Sequence, residues 1–168
     1  HKFDKYYIAE TSEASVKYYE NDKNINAVLY DGAKLPFENN FFDRIIISHV
    51  LEHIVDPENF LFEMMNKLKN DGLLSISLPT DPGLLWRMGK LFTKYITIKK
   101  TYKISSKEYD YMIATEHINS IFNLISLIRY NFKNQIDESF LPFKIRLVDI
   151  NLFYVVHISK WRCLEEIF

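Results

Sequence analysis

Short apolar runs alternate with segments of helical spacing along the first half of the chain. Residues 5–10, 25–31, 44–48 and 73–79 are rich in aromatic or branched apolar residues, which predicts four strands. The continuous apolar run at 44–48 is typical of a strand that is buried on both faces. A serine N-cap and the residues after it predict a helix over about 12–20, between the first two strands.

A second helix is predicted between the third and fourth strands. Asp56 is suited to cap its N-terminus, Pro57 to occupy its first position, and Gly72 to end it. One apolar stripe at helical spacing runs between these ends: Phe60, Leu61, Met64, Met65 and Leu68. Strands and helices in this order are typical of a parallel α/β sheet.

The second half of the chain follows a different pattern. Residues 80–118 interrupt the alternation and are predicted to form an insertion over the edge of the sheet, on the substrate side. An apolar helix is predicted at 120–132, and the runs at 143–150 and 153–160 predict an antiparallel pair of strands. The prediction is therefore a single α/β domain over 1–168, with a mostly parallel sheet and a C-terminal antiparallel pair.

Composition narrows the class of protein. A chain of 168 residues that is 48% hydrophobic suits one packed domain. The 21 basic and 22 acidic residues give a net charge of −1, which gives no reason to expect nucleic acid as a partner. The single cysteine, Cys163, fits a reducing compartment, and no apolar run reaches the roughly 20 residues of a membrane span. These features predict a cytoplasmic protein.

The stretch HVLEH at 49–53 matches the H-x-x-E-H pattern of one class of zinc peptidases. Such a site needs both histidines on one face of a sustained helix, together with a third ligand. Here a new helix starts at Asp56 and Pro57, so there is room for about one helical turn. The sequence therefore predicts no metal ligands. His49 and His53 are either functional residues or structural caps of the short turn.

A longer stretch around these histidines carries a family pattern. It reads DGAKLPFENNFFDRIIISHVLEHIVDPENFLFEMMNKLKNDGLLSISLP and resembles the class I S-adenosylmethionine-dependent methyltransferases. That group reads D-A-x-x-L-P-F, then F-D, a strand, V-L-E-H, a D-P helix start and a turn with proline and two glycines. The turn KNDGLL departs from this pattern. The resemblance covers about residues 5–80 and implies a Rossmann-like sheet, an S-adenosylmethionine cofactor and a methyl-transfer enzyme.

The resemblance assigns cofactor contacts to the ends of three strands. Glu10 would bind the ribose hydroxyls, because a carboxylate can accept two hydrogen bonds from a diol. Asp31 would bind the adenine amino group. Four further contacts are implied: Gly32 and Ala33, which are small enough for the backbone to approach the adenine, and Ser48 and His49 beside the methionine half. The alternative is that Glu10 and Asp31 are only turn formers or helix caps.

The family's first strand and the glycine-rich loop that follows it have no counterpart in this sequence, and both would be expected immediately before His1. The four glycines are too far apart to form one, and the chain begins with His1 rather than methionine. We expect a fragment of a longer enzyme, and the alternative is a degenerate relative that binds without catalysing. A nicotinamide-dependent Rossmann enzyme is a further rival, but it does not account for DGAKLPF followed by VLEH.

The predicted insertion carries the substrate-side candidates. Residues 84–107 hold seven basic residues and no acidic residue, interleaved with apolar ones. They form either a solvated basic face or a lid that attracts an anionic acceptor or rests on an anionic membrane surface. Arg87 and Tyr111 are the candidates for substrate binding. The expected acceptor is a small or a lipid- or sugar-linked compound with a hydroxyl or carboxyl group.

His53 and His117 are the candidate catalytic residues. Histidine titrates near neutral pH and suits a general base that removes a hydroxyl proton. Equally, His117 could cap a helix start together with Asn119, and Glu52 is expected to be a structural partner. Methyl transfer is a displacement at a sulfonium, so positioning is expected to do most of the work, and no metal is required.

Overall fold

The computed structural model of the chain describes residues 5–32, 34–97 and 105–160. These residues fall into two units that divide between Glu38 and Asn39. Within the described residues, no helix has both the length and the apolar character that a membrane crossing demands.

The first unit is a strand–helix–strand arrangement. Strand β1 (Tyr6–Glu10) is followed by helix α1 (Glu13–Tyr19) and by strand β2 (Ile25–Leu29), which pairs with β1 in parallel. Ser12 caps the helix by accepting a hydrogen bond from the amide of Ser15 at 3.4 Å. The predicted β1 and α1 are confirmed. Strand β2 ends two residues before the predicted end at residue 31.

The second unit contains a four-stranded mixed sheet in the order β3-β4-β6-β5. Its strands are β3 (Phe42–Ser48), β4 (Leu68–Pro79), β5 (Ile136–Leu141) and β6 (Phe153–Ser159). The pair β3/β4 is parallel, whereas β6 runs antiparallel to both β4 and β5. The predicted α/β class with a C-terminal antiparallel pair is confirmed.

Helix α2 (Pro57–Lys67) joins the two parallel strands. Asp56 caps it as predicted, since its Oδ1 accepts from the amide of Asn59 at 3.1 Å. The predicted end at Gly72 is wrong. The amide of Phe41 donates to the carbonyl of Lys67 at 2.8 Å, and Leu68 already pairs with Phe42 of β3. Strand β4 therefore begins five residues before the predicted start at residue 73.

Two predictions about strands are corrected. The run at 44–48 is not buried on both faces: Ile47 is buried, whereas Ile46 is 66% exposed. Within the described sheet, β3 is an edge strand that pairs with β4 alone. The predicted strand at 143–150 is instead a loop with a 3-10 turn (Val148–Ile150), and the partner of β6 is β5, at 136–141.

The buried side chain of Asn151 explains this loop. Its amide nitrogen donates to the carbonyls of Ile145 and Leu147 at 2.9 and 2.7 Å, and its oxygen accepts from the amide of Phe143 at 3.0 Å. These bonds satisfy backbone groups that a strand would have paired in a ladder. The apolar run is thereby held in a curled form.

In the described part of the chain, three helices lie between β4 and β5 in the sequence. Helices α3 (Leu84–Thr97) and α4 (Ser106–Glu116) occupy the segment predicted as an insertion, and α5 (Ile121–Asn131) is the predicted apolar helix. The buried core of the second unit is drawn from α2, α5 and the sheet, and includes Leu61, Met64, Leu74, Ile76, Leu78, Ile121, Leu124, Ile128, Phe140, Tyr154, Val156 and Ile158.

A polar cluster fastens α5 to the last two strands. Arg129 binds Glu138 through two hydrogen bonds, at 2.7 and 3.0 Å, and the hydroxyl of the fully buried Tyr154 donates to Glu138 at 2.9 Å. Burial raises the pKa of Glu138, but these hydrogen bonds and the charges of Arg129 and Arg146 outweigh it and hold the pKa below its ordinary value of 4.5. Burial and the charge of Glu138 raise the pKa of Tyr154, so the phenol remains a donor.

Candidate functional site

A cavity of about 350 Å³ lies in the second unit, between the end of β3 and helices α3 and α4. Asp81, two residues after the end of β4, also reaches it. The lining brings together three histidines, two carboxylates, a lysine and two large aromatic residues: His49, His53, His117, Glu52, Asp81, Lys90, Trp86 and Tyr109. The sheet thus presents the carboxyl ends of two parallel strands to the cavity, where open α/β sheets bind ligands.

His49 reaches the cavity from an unusual backbone conformation. It follows β3 directly, with φ of +53°, and its amide donates to the carbonyl of Ser77 at 3.0 Å. A non-glycine residue in the left-handed region carries a local cost and is often found at functional sites. Its ring meets Phe153 edge-on, with centroids 5.7 Å apart. The preceding Ser48 is the last residue of β3 and is exposed.

The segment after His49 makes a single 3-10 turn (Leu51–His53), which agrees with the limited room that the sequence indicated for a helix. Asn119 holds this turn in place. Its side-chain amide nitrogen donates to the carbonyls of Leu51 and Ile54 at 3.2 and 2.6 Å, and its backbone amide donates to the backbone carbonyl of Glu52 at 3.1 Å. The position of the turn is therefore fixed by the segment that follows α4.

His117 caps the C-terminus of α4 and pairs with Asp81. Its Nδ1 lies 2.9 Å from Asp81 Oδ2, and both side chains are more than four-fifths buried. The rings of His53 and His117 meet at 83°, with centroids 5.0 Å apart. The two residues predicted as catalytic are thus brought together in one cavity, although 64 positions separate them. Their catalytic role remains a prediction.

Two buried polar atoms at the cavity have no hydrogen-bond partner among the described residues. They are Glu52 Oε2 and the indole nitrogen of Trp86. Buried polar groups are normally paired, so residues that line the cavity carry one acceptor and one donor whose hydrogen-bonding capacity is unused.

The sequence missed Asp81 and Trp86. Asp81 carried a usable signal, because it follows the end of a buried strand by two residues, as Asp31 follows β2. The Trp86 indole gave no such signal, since its burial depends on how α3 packs.

The residues predicted to bind adenosine belong to the first unit. Glu10 ends β1 and is half-buried, and Asp31 lies two residues beyond the end of the neighbouring β2. The amide of Tyr30 donates to the carbonyl of Glu10 at 3.0 Å, which holds the two strand ends side by side. Gly32 has φ of +82°, where side chains are strained, and Ala33 lies outside the described residues.

The predicted substrate residues lie outside the cavity lining. Arg87 and Tyr111 are both exposed, on α3 and α4, whereas Lys90 and Tyr109 line the cavity. Tyr109 and Tyr111 are two positions apart on α4 and therefore point to different sides of the helix. Arg87 and Lys90 are three apart and are neighbours on α3, but only Lys90 reaches the cavity. A substrate role for Arg87 and Tyr111 remains a prediction.

Comparison with known proteins shows which families and proteins this chain is similar to in sequence. Residues 2–76 match the family described as "Methyltransferase domain". The demethylmenaquinone methyltransferase of Paenarthrobacter aurescens is 33% identical over 101 residues, which is 58% of this chain and 39% of that protein. The ubiquinone/menaquinone biosynthesis C-methyltransferase of Coxiella burnetii is 36% identical over 86 residues, which is 43% of this chain and 34% of that protein. The matches thus span well under half of the length of these curated relatives.

Solved structures share the fold at low sequence identity. A SAM-dependent methyltransferase of Thermotoga maritima has a TM-score of 0.58 at 18% identity and covers 90% of this chain and 72% of that chain. The plantazolicin methyltransferase, solved in complex with S-adenosylhomocysteine, has a TM-score of 0.62 at 14% identity, with 92% and 66% covered. The fold predicted from the resemblance is confirmed.

Proposed function

We propose that the protein is an S-adenosylmethionine-dependent methyltransferase and that a hydroxyl acceptor binds in the cavity. Two findings support the reaction: residues 2–76 match the methyltransferase-domain family, and the chain has the class I methyltransferase fold. The observation that carries the choice of acceptor is the pair of Asp81 and His117 at the cavity wall. A carboxyl acceptor is already ionised at neutral pH and needs no base, whereas a hydroxyl has to lose a proton.

The first unit has features that fit the adenosine half of the cofactor. Glu10 and Asp31 follow adjacent parallel strands at the same sheet edge, and each carboxylate would accept hydrogen bonds, from the ribose hydroxyls and the adenine amino group respectively. A Cβ at Gly32 would lie 3.7 Å from Cγ2 of Thr11, which is an ordinary contact, so the positive φ rather than a lack of room favours glycine there. Gly32 and Ala33 are the residues that would lie beside the adenine.

In the second unit, Ser48 and His49 are the residues that would contact the methionine half. Both stand at the carboxyl end of β3, and the left-handed backbone of His49 supports a special role for that position. The cofactor supplies a methyl group on a sulfonium, which needs no further activation.

His117 would act as the general base. Asp81 accepts from its Nδ1, which leaves Nε2 with a lone pair for the hydroxyl proton. The neighbouring His53 ring narrows the space around that nitrogen and would help to orient the acceptor. Trp86, through its orphan N–H, and Lys90 would bind acceptor oxygens or an anionic group.

The acceptor is proposed to be small or to be the head of a lipid- or sugar-linked compound. The curated relatives are named as quinone-pathway methyltransferases, one of them as a C-methyltransferase. Removing the proton of an aromatic hydroxyl also activates the neighbouring ring carbon, so the same base would serve transfer to oxygen or to carbon.

Helix α3 supports a peripheral membrane contact as part of this proposal. Its apolar residues at helical spacing are all exposed: Leu84, Met88, Leu91, Phe92 and Tyr95. Arg87, Lys90 and Lys94 lie on the same helix, a combination suited to an anionic bilayer surface. Lys99, Lys100 and Lys103 of the predicted basic stretch lie outside the described residues. A protein that acts at the cytoplasmic face of a membrane would fit this combination.

The test is calorimetric titration of S-adenosylhomocysteine into the full-length gene product. Glu10→Gln and Asp31→Asn should each weaken binding by roughly tenfold or more, because each removes hydrogen bonds to a charged group. Glu20→Gln, an exposed acid of the same unit, is the matched control and should not change the affinity.

Two outcomes would contradict the proposal. A folded protein that binds NADH but not S-adenosylhomocysteine would indicate another Rossmann enzyme. A protein that binds S-adenosylhomocysteine but transfers no labelled methyl group to any hydroxyl, carboxyl or quinol acceptor would indicate a binding module.

A further inference from the structure

Three potential metal ligands converge at the cavity. Glu52 and His53 come from the 3-10 turn, and His117 comes from the end of α4. One ligand atom from each lies within 4.8 Å of the other two. The turn alone could not form such a site, and the third member is supplied by a segment 64 residues away.

The hydrogen bonds of both histidines leave the same ring nitrogen available. His53 Nδ1 lies 2.8 Å from the carbonyl of Glu116, and His117 Nδ1 lies 2.9 Å from Asp81 Oδ2. A carbonyl or a carboxylate can only accept, so each Nδ1 carries a proton and each neutral ring keeps its lone pair on Nε2. Histidines that bind metals usually have this arrangement, with the other ring nitrogen donating to a carbonyl or carboxylate.

Glu52 contributes a negative charge in a place where charge is costly. It is 3% exposed, and its Oε2 has no partner. Its Oε1 lies 3.6 Å from His49 Nδ1 and 3.9 Å from His53 Nε2, both too long for a hydrogen bond, and among the described residues no lysine or arginine pairs with it. A buried carboxylate normally has a cation or several donors beside it.

We propose that Glu52, His53 and His117 hold one divalent first-row transition-metal ion, with a coordination position open to the cavity. Two imidazoles and one carboxylate suit Zn²⁺ and its neighbours in the series. In a tetrahedral site with bonds of about 2.1 Å, ligand atoms lie about 3.4 Å apart. The 3.9 Å between Glu52 and His53 would therefore shorten by about half an ångström when the ion binds.

The ion would change how an acceptor is activated. In the metal-loaded protein Nε2 of His117 would be a ligand, so the general-base role proposed above would belong to the metal-free form. A hydroxyl bound to the ion would lose its proton more readily because of the ion's charge. This consequence rests on the proposed methyl transfer, whereas metal binding itself does not. A titration with metal alone therefore fails or succeeds independently of the cofactor titration above.

The experiment uses Zn²⁺ in calorimetry and Co²⁺ in visible absorption, both with metal-free full-length protein. One ion should bind per chain, and Co²⁺ should give a ligand-field spectrum of nitrogen and oxygen coordination. Glu52→Gln and His117→Asn should each weaken binding by roughly 100-fold or more, which exceeds the 10–100-fold usual for the outer-shell partners. Asp81→Asn, which removes such a partner, should weaken binding by about 10-fold.

His157 provides the matched control. It is bonded to Ser75 on the sheet, away from the cavity lining, so His157→Gln should leave the affinity unchanged. Melting curves of the metal-free variants report whether each substitution keeps the fold, and Glu52→Gln preserves the shape of the side chain. Absence of stoichiometric binding to the wild type would overturn the proposal. So would binding that survives all three substitutions, because the ion would then be bound by other residues.

Discussion

Replacing Tyr154 by phenylalanine removes one hydrogen bond from the cluster that fastens α5 to the sheet. The hydroxyl donates to Glu138 at 2.9 Å and the residue is fully buried. The ring remains and keeps its contact with Phe140, with centroids 5.1 Å apart. The substitution therefore changes the hydrogen bond and leaves the packing almost intact.

The expected loss of unfolding free energy is about 1.5 kcal/mol. Hydrogen bonds to charged groups contribute about 1.5–3 kcal/mol, and the lower end applies because Arg129 still binds both oxygens of Glu138. For a chain of this length, that loss lowers the melting temperature by roughly 3–6 °C. Tyr130→Phe is the control, since Tyr130 lies on α5 with 86% of its surface exposed, and it should leave stability unchanged.

Glu138→Gln adds a pH test of the same cluster. The folded-state pKa of Glu138 is lowered, so its contribution to stability is present above the ordinary value of 4.5 and is lost as the pH falls through the lowered value. Urea unfolding of the wild type and Glu138→Gln should therefore differ most at neutral pH and converge in acid. A gap that persists in acid, or a Tyr154→Phe variant as stable as Tyr130→Phe, would refute the reasoning.

Three further predictions concern the cavity and the helix beside it. In the metal-free protein, Asp81→Asn should lower the kcat of methyl transfer by roughly 100-fold with little change in the KM of the acceptor, because it removes the carboxylate that orients the proposed base His117, and general bases contribute about 10²–10⁴. Gly89→Ala should stabilise the protein by up to about 1 kcal/mol, since a Cβ there meets nothing within 4 Å. Gly83→Ala should destabilise it by about 1–3 kcal/mol, since a Cβ there would lie 2.7 Å from the carbonyl of Thr80. Chemical unfolding measures both changes. Phe92→Ser should reduce flotation with anionic vesicles at least severalfold, and equal flotation of the variant would count against a membrane role for α3.

Elements governed by local rules were predictable from the sequence. The Ser12 cap of α1 and the start of α2 at Pro57 each depend on two or three neighbouring residues, and both are confirmed. The end of α2 was not predictable in this way. The amides of Asn40 and Phe41 bind the carbonyls of the last two residues of α2, and Leu68 pairs with Phe42, so the chain enters the sheet before Gly72.

Long-range packing also explains the other errors. The run at 143–150 is apolar enough for a strand, but the side chain of Asn151 donates to the carbonyls of Ile145 and Leu147, which a neighbouring strand would otherwise pair with. The run at 44–48 has the composition of a fully buried strand, yet its place at the edge of the described sheet leaves Ile46 exposed. Composition reports how apolar a strand is, whereas its neighbours decide which face is covered.

The sequence identified some residues of the candidate site but not how they come together. His53 and His117 were each identified from chemistry and local context, but their meeting depends on the packing of α4 against the turn after β3. Asp81 as the partner of His117 could have been anticipated from its position after a strand. The choice between Arg87 and Lys90 could not, because it depends on the orientation of α3 about its own axis.

The hydrogen bonds of Asn119 hold one wall of the cavity, the turn with Glu52 and His53, while α3 forms another wall. The wall that carries His53 and Glu52 is tied by hydrogen bonds of Asn119 to the segment after His117, and none of these bonds involves α3. Under the proposed function, substitutions along α3 would alter which acceptors fit the cavity, while His53 and Glu52 would stay tied to the segment after His117. A lineage with this construction would then acquire new substrates by changing one helix.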